Sequence, residues 1–320
     1  MARVLVTGGV GFIGYHVTRA LLARGDDVLV VDDFSDAPYP RIAKRRNEAD
    51  LRREFPSARV VEGCVTDRAA MAPLVAGRDR VLHLAGLAGV RPSFVDPARY
   101  ARVNVEGTAV VQELARQARI EHFVFASSSS VYGNSTPLPA REDAPAIVPE
   151  SPYAASKRSA ELVASTLCRA APRMRCAALR FFTVYGPRQR PEMAITLFAR
   201  AVVDGRPIPM FGDGSMRRDF THVDDIVRGV LAALDLQGPP GFRPYNLGSG
   251  APVDLHTLVA AIGAAAGVDP KVQHAPEQLG DVQATFADIA RAREELGWEP
   301  RVKLTEGLAT VVSWVKSSSL

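Results

Sequence analysis

Three observations predict an α/β fold built on a doubly wound parallel sheet, with a smaller C-terminal α/β region that binds substrate. Short β-branched strands alternate with helical patterns along roughly the first half of the chain. A glycine-rich turn joins the first strand to the first helix, and an acid ends the second strand. After Phe182 the texture changes to loops rich in Gly, Pro and Arg, such as VYGPRQRPEM and GRPIPMFGDGSMRRDF. Strands alternating with helices are the signature of parallel sheets, whose crossovers are helices.

The run Arg3–Thr7 reads as a buried strand. Gly8, Gly9, Gly11 and Gly14 follow, and apolar residues then recur at helical spacing from Ile13 through Val17, Ala20 and Leu21 to a stop at Gly25. Residues 27–31 form a second apolar strand that ends in Asp32 and Asp33. Glycines at such a first turn let the backbone approach a pyrophosphate, which rests on the N-terminus of the next helix. Gly8, Gly11, Phe12, Ile13 and Gly14 would form that cradle. Asp32, with Asp33 beside it, stands roughly twenty residues on, where an acid takes the adenosine ribose hydroxyls. Two adjacent carboxylates repel a 2′-phosphate, so the expected cofactor is NAD rather than NADP.

Further buried strands are expected at Arg59–Glu62, 80–84, 122–126 and 176–181, with helical patterns between them, as at 97–119. The expected division is an NAD-binding domain over 1–180, to which the chain returns near 221–248, and a substrate-binding region over most of 181–320. The fifth strand delivers four serines, Ser127 to Ser130. Ser151 and Pro152 then suit the N-cap and first position of a helix. That helix carries Tyr153 and Lys157 one turn apart on one face. A tyrosine whose proton must move near neutral pH needs a cation beside it, and this spacing supplies one.

A chain of 320 residues with 47% hydrophobic and 23% charged residues is ordinary for a globular protein. It has no apolar run long enough to span a bilayer and no signal-peptide architecture, so no membrane partner is expected. Cys64, Cys168 and Cys176 lack metal-ligand spacing, and their odd number argues against a disulfide framework. A reducing, cytoplasmic setting and no metal are expected. The formal charge of +4 is scattered, and the one tight basic cluster, RIAKRR, reads as a solvated helix, so no nucleic-acid partner is expected. Isolated arginines near glycines and prolines suit the grip of small anions.

The glycine spacing is Gly8-x-x-Gly11-x-x-Gly14, within TGGVGFIG. With HLAG at 83–86, NVEGT at 104–108, the serine run, YAASK, RDFTHVDD at 218–225, YNLGSG at 245–250 and ADIARAREELGWEP at 287–300, the chain closely resembles the extended short-chain dehydrogenase/reductase family, almost end to end. The resemblance implies a Rossmann sheet and further NAD contacts at Val65, Leu84, Ala85, Gly86, Asn104 and Phe181. It also implies a catalytic set of Ser128, Tyr153 and Lys157. Lys157 and the positive nicotinamide would lower the tyrosine pKa, so that Tyr153 removes a sugar hydroxyl proton as hydride passes to NAD. Ser128 would hydrogen-bond the same oxygen. Cys64 departs from the family, which usually has Asp there against adenine, although the Val65 backbone could still make its contact.

Family members that dehydrate or decarboxylate nucleotide sugars carry acids just before VYG. Here Ser129 and Ser130 occupy those positions, so elimination is disfavoured and the resemblance implies 4-epimerisation. LRFFTVYGPRQRPEM and AGVRPS are most similar to the UDP-glucuronate 4-epimerases of that family. UDP-galactose 4-epimerases of the best-known type usually have asparagine at Thr183, a lysine near Ala88 and an arginine near Gln278, and this chain has none of them. The implied sugar contacts are Val90, Arg91, Ser128, Ser129, Ser130, Tyr153, Thr183, Arg190, Met193 and Ala194, with Arg190 facing a hexuronate carboxylate. For the nucleotide, the resemblance implies Arg218 on the diphosphate, Pro209, Met210 and Phe211 along the base, and Gln278 and Asp281 nearby, Asp281 at the ribose. The helices at 97–119 and 152–170 resemble those that form a four-helix homodimer interface in relatives. The alternatives are a UDP-glucose/UDP-galactose 4-epimerase and, from another class, a non-catalytic NAD-sensing protein on the same fold. Such proteins typically lack the Tyr or the Lys.

Overall fold

Side chains alternate across a strand, so one short segment can feed two cores. In the computed structural model, which describes residues 1–36, 39–144, 148–276 and 282–318, β1 (Arg3–Thr7) sends Val4 and Val6 into one apolar core and Leu5 into another. All three are fully buried. A strand apolar on both faces belongs inside a sheet covered on both sides, and β1 lies there. The seven-stranded sheet runs in the order Gly241–Leu247, β6 (Arg175–Phe181), β5 (His122–Ser128), β4 (Arg80–His83), β1, β2 (Asp27–Asp32), β3 (Arg59–Glu62). Every neighbouring pair is parallel.

Helices α1 (Phe12–Ala23) and Val223–Leu234 bury their apolar stripes on one face. Helices Arg68–Val75, Gly107–Gln117 and Pro152–Arg169 cover the other. The winding reverses between β1 and β4. Such a switch point leaves a crevice at the carboxyl ends of the strands, where ligands bind. A third core joins helices Ala194–Val203, Leu255–Ala266 and Leu304–Ser317 over that edge. Among the described residues, no helix is long and apolar enough to cross a membrane.

The expected strands all form, and β5 extends through Ser128, which places the serine run directly on the sheet edge. Residues 97–119 are not one plain α-helix. Pro97–Ala101 leads into a π-helical turn over Arg102–Glu106 before Gly107–Gln117 resumes the α-helix. Asn104 lies within that turn, and π-bulges of this kind recur where a helix must aim a functional side chain. The basic cluster opens helix α2 (Arg41–Glu54), whose Arg45, Arg52 and Arg53 form ion pairs with Glu48 and Asp50 of the same helix. Lys44 departs from the solvated reading. It is buried and turns inward to Asp32 (3.0 Å) and Asp33 (3.1 Å).

Candidate active site

A cleft of about 1300 Å³ opens at the carboxyl ends of the central strands, lined at one end by the glycine turn and at the other by Phe211 and Arg218. The turn is tight because Gly14 packs on Gly8, where a Cβ on Gly14 would come within 2.0 Å of the Gly8 carbonyl oxygen. Gly11 N–H donates to that same oxygen at 3.1 Å. The first amides of α1 have no partner within the helix, and Gly11, Phe12, Ile13 and Gly14 line the cleft. Together with the helix dipole they suit a pyrophosphate. Gly14→Ala is therefore expected to yield protein that purifies without dinucleotide, measured as NAD released on denaturation. NAD content equal to that of the parent chain would refute the packing argument.

Asp32 is buried at the end of β2. Burial pushes its pKa up, against the pull of Lys44 and of the Phe34 amide, which donates at 3.0 Å. Burial also opposes ionisation of Asp33, but the Ser35 amide at 2.9 Å and Lys44 hold its carboxyl below the usual range. Lys44 thus serves as counter-ion to the acids expected at the adenosine ribose, a role hidden within a basic cluster. Cys64 is exposed, its Sγ 3.1 Å from Thr66 Oγ1, and it lines the cleft beside Val65. Leu84, Ala85, Gly86 and Phe181 line the cleft.

Asn104 does not line the cleft. It is buried behind it, its Oδ1 accepting from Leu87 N–H (2.8 Å) and its Nδ2 donating to Leu87 O (3.0 Å) and Ser156 Oγ (2.9 Å). The π-helical turn aims this side chain at backbone, so Asn104 brackets the loop after β4.

The helix Pro152–Arg169 begins as its sequence predicts. Ser151 Oγ accepts from Ala154 N–H at 3.1 Å, and Pro152 takes the first turn. Tyr153 and Ser128 of β5 both line the cleft. Burial raises the Tyr153 pKa above its ordinary value, while the Ser128 hydroxyl and the positive charge of Arg190 pull it back. Lys157, which the resemblance pairs with the nicotinamide in lowering the tyrosine pKa, donates through its Nζ to the Ala126 carbonyl at 2.9 Å, and burial brings its own pKa down to about 8 against the support of Glu161. Gly86 makes room for this ammonium, since a Cβ there would lie 3.0 Å from Nζ.

Behind the pair lies a buried network that has no local sequence signal. Glu161, one turn after Lys157, accepts from Ser127 Oγ at 2.6 Å and from Arg180 in a two-pronged contact at 2.8 Å for each prong. Arg180 also donates to the Tyr132 hydroxyl at 2.8 Å, which donates to Asn246 at 2.6 Å. Burial alone would raise the Glu161 pKa, but Arg180 and Ser127 hold it down. The serine run is therefore clamped on both sides of Ser128.

At the sugar end, Val90, Arg91, Ser129, Ser130, Thr183, Arg190, Met193 and Ala194 line the cleft, as do Phe211 and Arg218 toward the nucleotide end. Arg190 donates to the Ala88 carbonyl at 3.2 Å and pairs with Glu192 at 3.1 Å. Tyr100, which the sequence did not single out, donates to the same carbonyl at 3.0 Å and meets the Tyr153 ring edge-on with centroids 6.2 Å apart. Pro209 and Met210 do not line the cleft. Strand Ile208–Phe211 alternates faces, and Met210 points into the third core at 1% exposure. Gln278 and Asp281 lie outside the described residues. Asp219, within RDFTHVDD, is buried and accepts from the amides of Ser249 (2.5 Å), Gly250 (3.1 Å) and Ala287 (3.0 Å).

The model of the NAD dependent epimerase/dehydratase family matches residues 4–248, which hold the glycine turn, the tyrosine–lysine helix and the seventh strand. The chain belongs to that family. Its relatives include the UDP-glucuronate 4-epimerase of Thermodesulfobacterium geofontis, 37% identical over 99% of this chain and 97% of that protein. The structure of a tyrosine-to-phenylalanine variant of UDP-glucuronic acid 4-epimerase from Bacillus cereus, in complex with UDP-4-deoxy-4-fluoro-glucuronic acid and NAD, superposes with a TM-score of 0.91 at 30% identity, covering 98% of both chains. The UDP-glucose 4-epimerase of Thermotoga maritima, with UDP-glucose, gives 0.88 at 32% identity, again over 98% of each chain. The cleft brings together the glycine turn, Ser128, Tyr153 and Lys157, and Arg91 and Arg190 at its sugar end.

Proposed function

We propose that this chain is an NAD-dependent UDP-glucuronate 4-epimerase, which interconverts UDP-glucuronate and UDP-galacturonate through a 4-keto sugar. The observation that carries the reading is the position of Arg190 in the cleft, where it shares the Ala88 carbonyl with Tyr100, whose ring meets that of Tyr153 edge-on. The carboxylate of a hexuronate is attached to C5, next to the reacting C4. A guanidinium beside the C4 base can therefore meet it, and charge-assisted pairs of this kind are strong and directional. Ser129 and Ser130 line the same cleft at the two positions where dehydrating and decarboxylating members of the family carry an acid to pull the C5 proton.

NAD fits the cradle of Gly11 to Gly14 and the ribose acids Asp32 and Asp33. When bound, it supplies hydride acceptance and return at the sugar C4. The protein's own residues do the rest. Tyr153 takes the O4 proton and later returns it, and Ser128 donates to the same oxygen as it gains carbonyl character. Lys157, held on the Ala126 carbonyl, supplies positive charge to this corner of the cleft. A 4-keto hexuronate is a β-keto acid, which loses CO2 when its carboxylate bond stands perpendicular to the carbonyl. Arg190, with Thr183 and the serines, keeps that bond out of the perpendicular alignment.

The test is product analysis by NMR with UDP-glucuronate, UDP-glucose and UDP-xylose offered separately. The expected result is UDP-galacturonate from the first and little conversion of the others; equal turnover of the neutral hexose would overturn the hexuronate assignment. In the same reading the chain works as a cytoplasmic homodimer, paired through helices Gly107–Gln117 and Pro152–Arg169. Sedimentation of the purified protein as a monomer at micromolar concentration would exclude that pairing.

A further inference from the structure

The loop that carries Arg190 is tied down far from the sugar. Arg188 reaches across to α2, where its guanidinium donates to Asn47 Oδ1 and Asp50 Oδ2, each at 2.6 Å, and lies 4.1 Å over the Tyr15 ring. The Arg188 carbonyl accepts from the Tyr39 hydroxyl at 3.2 Å. Asn47 in turn donates to the carbonyl of Val10, inside the glycine turn, at 2.9 Å. On either side of Arg188 the loop is anchored again. The Pro187 carbonyl lies 2.9 Å from His16 Nε2 of α1. Buried Gln189 donates to Val184 O at 2.6 Å and accepts from Thr196 Oγ1 at 2.9 Å.

Arg188 has φ +69, the left-handed region that an arginine rarely adopts. Local preference therefore opposes this backbone, and the anchors on the side chain and carbonyl hold it. Arg190, two residues on, has thinner support: one backbone carbonyl, the half-exposed Glu192 and a methionine sulfur at 3.3 Å. A long side chain with such partners is aimed mainly by its backbone.

We propose that Arg188 is the positioning residue for hexuronate recognition, a clasp that fixes the 186–190 loop to the cofactor-binding turn and helix and so aims Arg190 at the sugar carboxylate. Arg188 itself lines no part of the cleft. The proposal rests on the hexuronate reading given above. It also connects the dinucleotide cradle to the sugar end through a short path, hydrogen-bonded from Val10 through Asn47 to Arg188 and continued along the backbone to Arg190.

The experiment compares Arg188→Ala, Arg188→Lys and Asp50→Asn with the parent chain, reading KM and kcat for UDP-glucuronate, the share of pentose among the products, affinity for UDP and NAD content. The clasp predicts a KM for UDP-glucuronate raised by roughly tenfold to a hundredfold in Arg188→Ala, the scale on which misplaced positioning groups act, with UDP-pentose appearing beside UDP-galacturonate. UDP affinity and NAD content stay at the parent level, and Arg188→Lys recovers part of the loss because it keeps the charge facing Asp50. Asp50→Asn removes one arm of the clasp and shifts KM and pentose share in the same direction, which keeps the test valid if Arg188→Ala does not fold. Unchanged KM and product share in the folded variants overturn the proposal, as does a parallel fall in UDP affinity and NAD content, the mark of a merely structural role. Conversion of UDP-glucuronate by the parent with no response in the variants overturns the clasp alone. No conversion by the parent overturns the hexuronate reading and the clasp with it.

Discussion

Tyr153→Phe is expected to lower kcat by about 10²–10⁴-fold, the range for removal of a positioned acid–base group, while the purified protein keeps its NAD. The phenol lines the cleft together with Ser128 and Arg190, both of which lower its pKa. Phenylalanine keeps the ring, including its edge-on contact with Tyr100 at 6.2 Å between centroids, so only the proton-transfer oxygen is lost. The check is steady-state epimerisation alongside NAD content and melting temperature. Turnover within an order of magnitude of the parent chain would remove Tyr153 from the mechanism.

Arg190→Ala is expected to act on binding, product and pH dependence together. A charge-assisted pair contributes about 1.5–3 kcal/mol, so KM for UDP-glucuronate should rise on the order of 10- to 100-fold. Without a cation to hold the carboxylate, the 4-keto sugar can bring that bond perpendicular to the carbonyl, and pentose product should appear. The sign of the pH effect follows from the same charge. Arg190 lowers the Tyr153 pKa, so its loss raises that pKa, and the acidic limb of the kcat profile should move to higher pH. A variant that keeps parent affinity and epimerisation and releases no pentose would show that Arg190 only orders its loop.

Much of this site was legible along the chain because its signals are local. The turn from Gly8 to Gly14, the acids ending β2 and the Ser151–Pro152 helix start each depend on backbone geometry within a few residues. Tyr153 and Lys157 share a helix face by spacing alone. The composition of the serine run also carried information, because it shows which acids are missing.

Other roles were decided only by the packed fold. Period-2 alternation says that Met210 and its neighbours face opposite ways, but not which face meets the third core. A helix carrying Arg41, Lys44, Arg45 and Arg46 shows no sign from sequence that Lys44 alone turns to Asp32 and Asp33. Asn104 looks like a cleft residue from its motif, yet a π-helical turn aims it at the Leu87 backbone. The Glu161–Arg180–Tyr132 network and the Arg188 clasp join residues brought together from different elements, the clasp spanning 141 positions from Arg188 to Asn47.

The sequence by itself determined the sheet, the dinucleotide cradle and the proton-transfer group, since each is written in contacts between near neighbours. Only the tertiary structure decided what orients them, because a buried hydrogen bond or ion pair depends on which distant side chains the closed sheet brings within 3 Å, and desolvation then sets their charge.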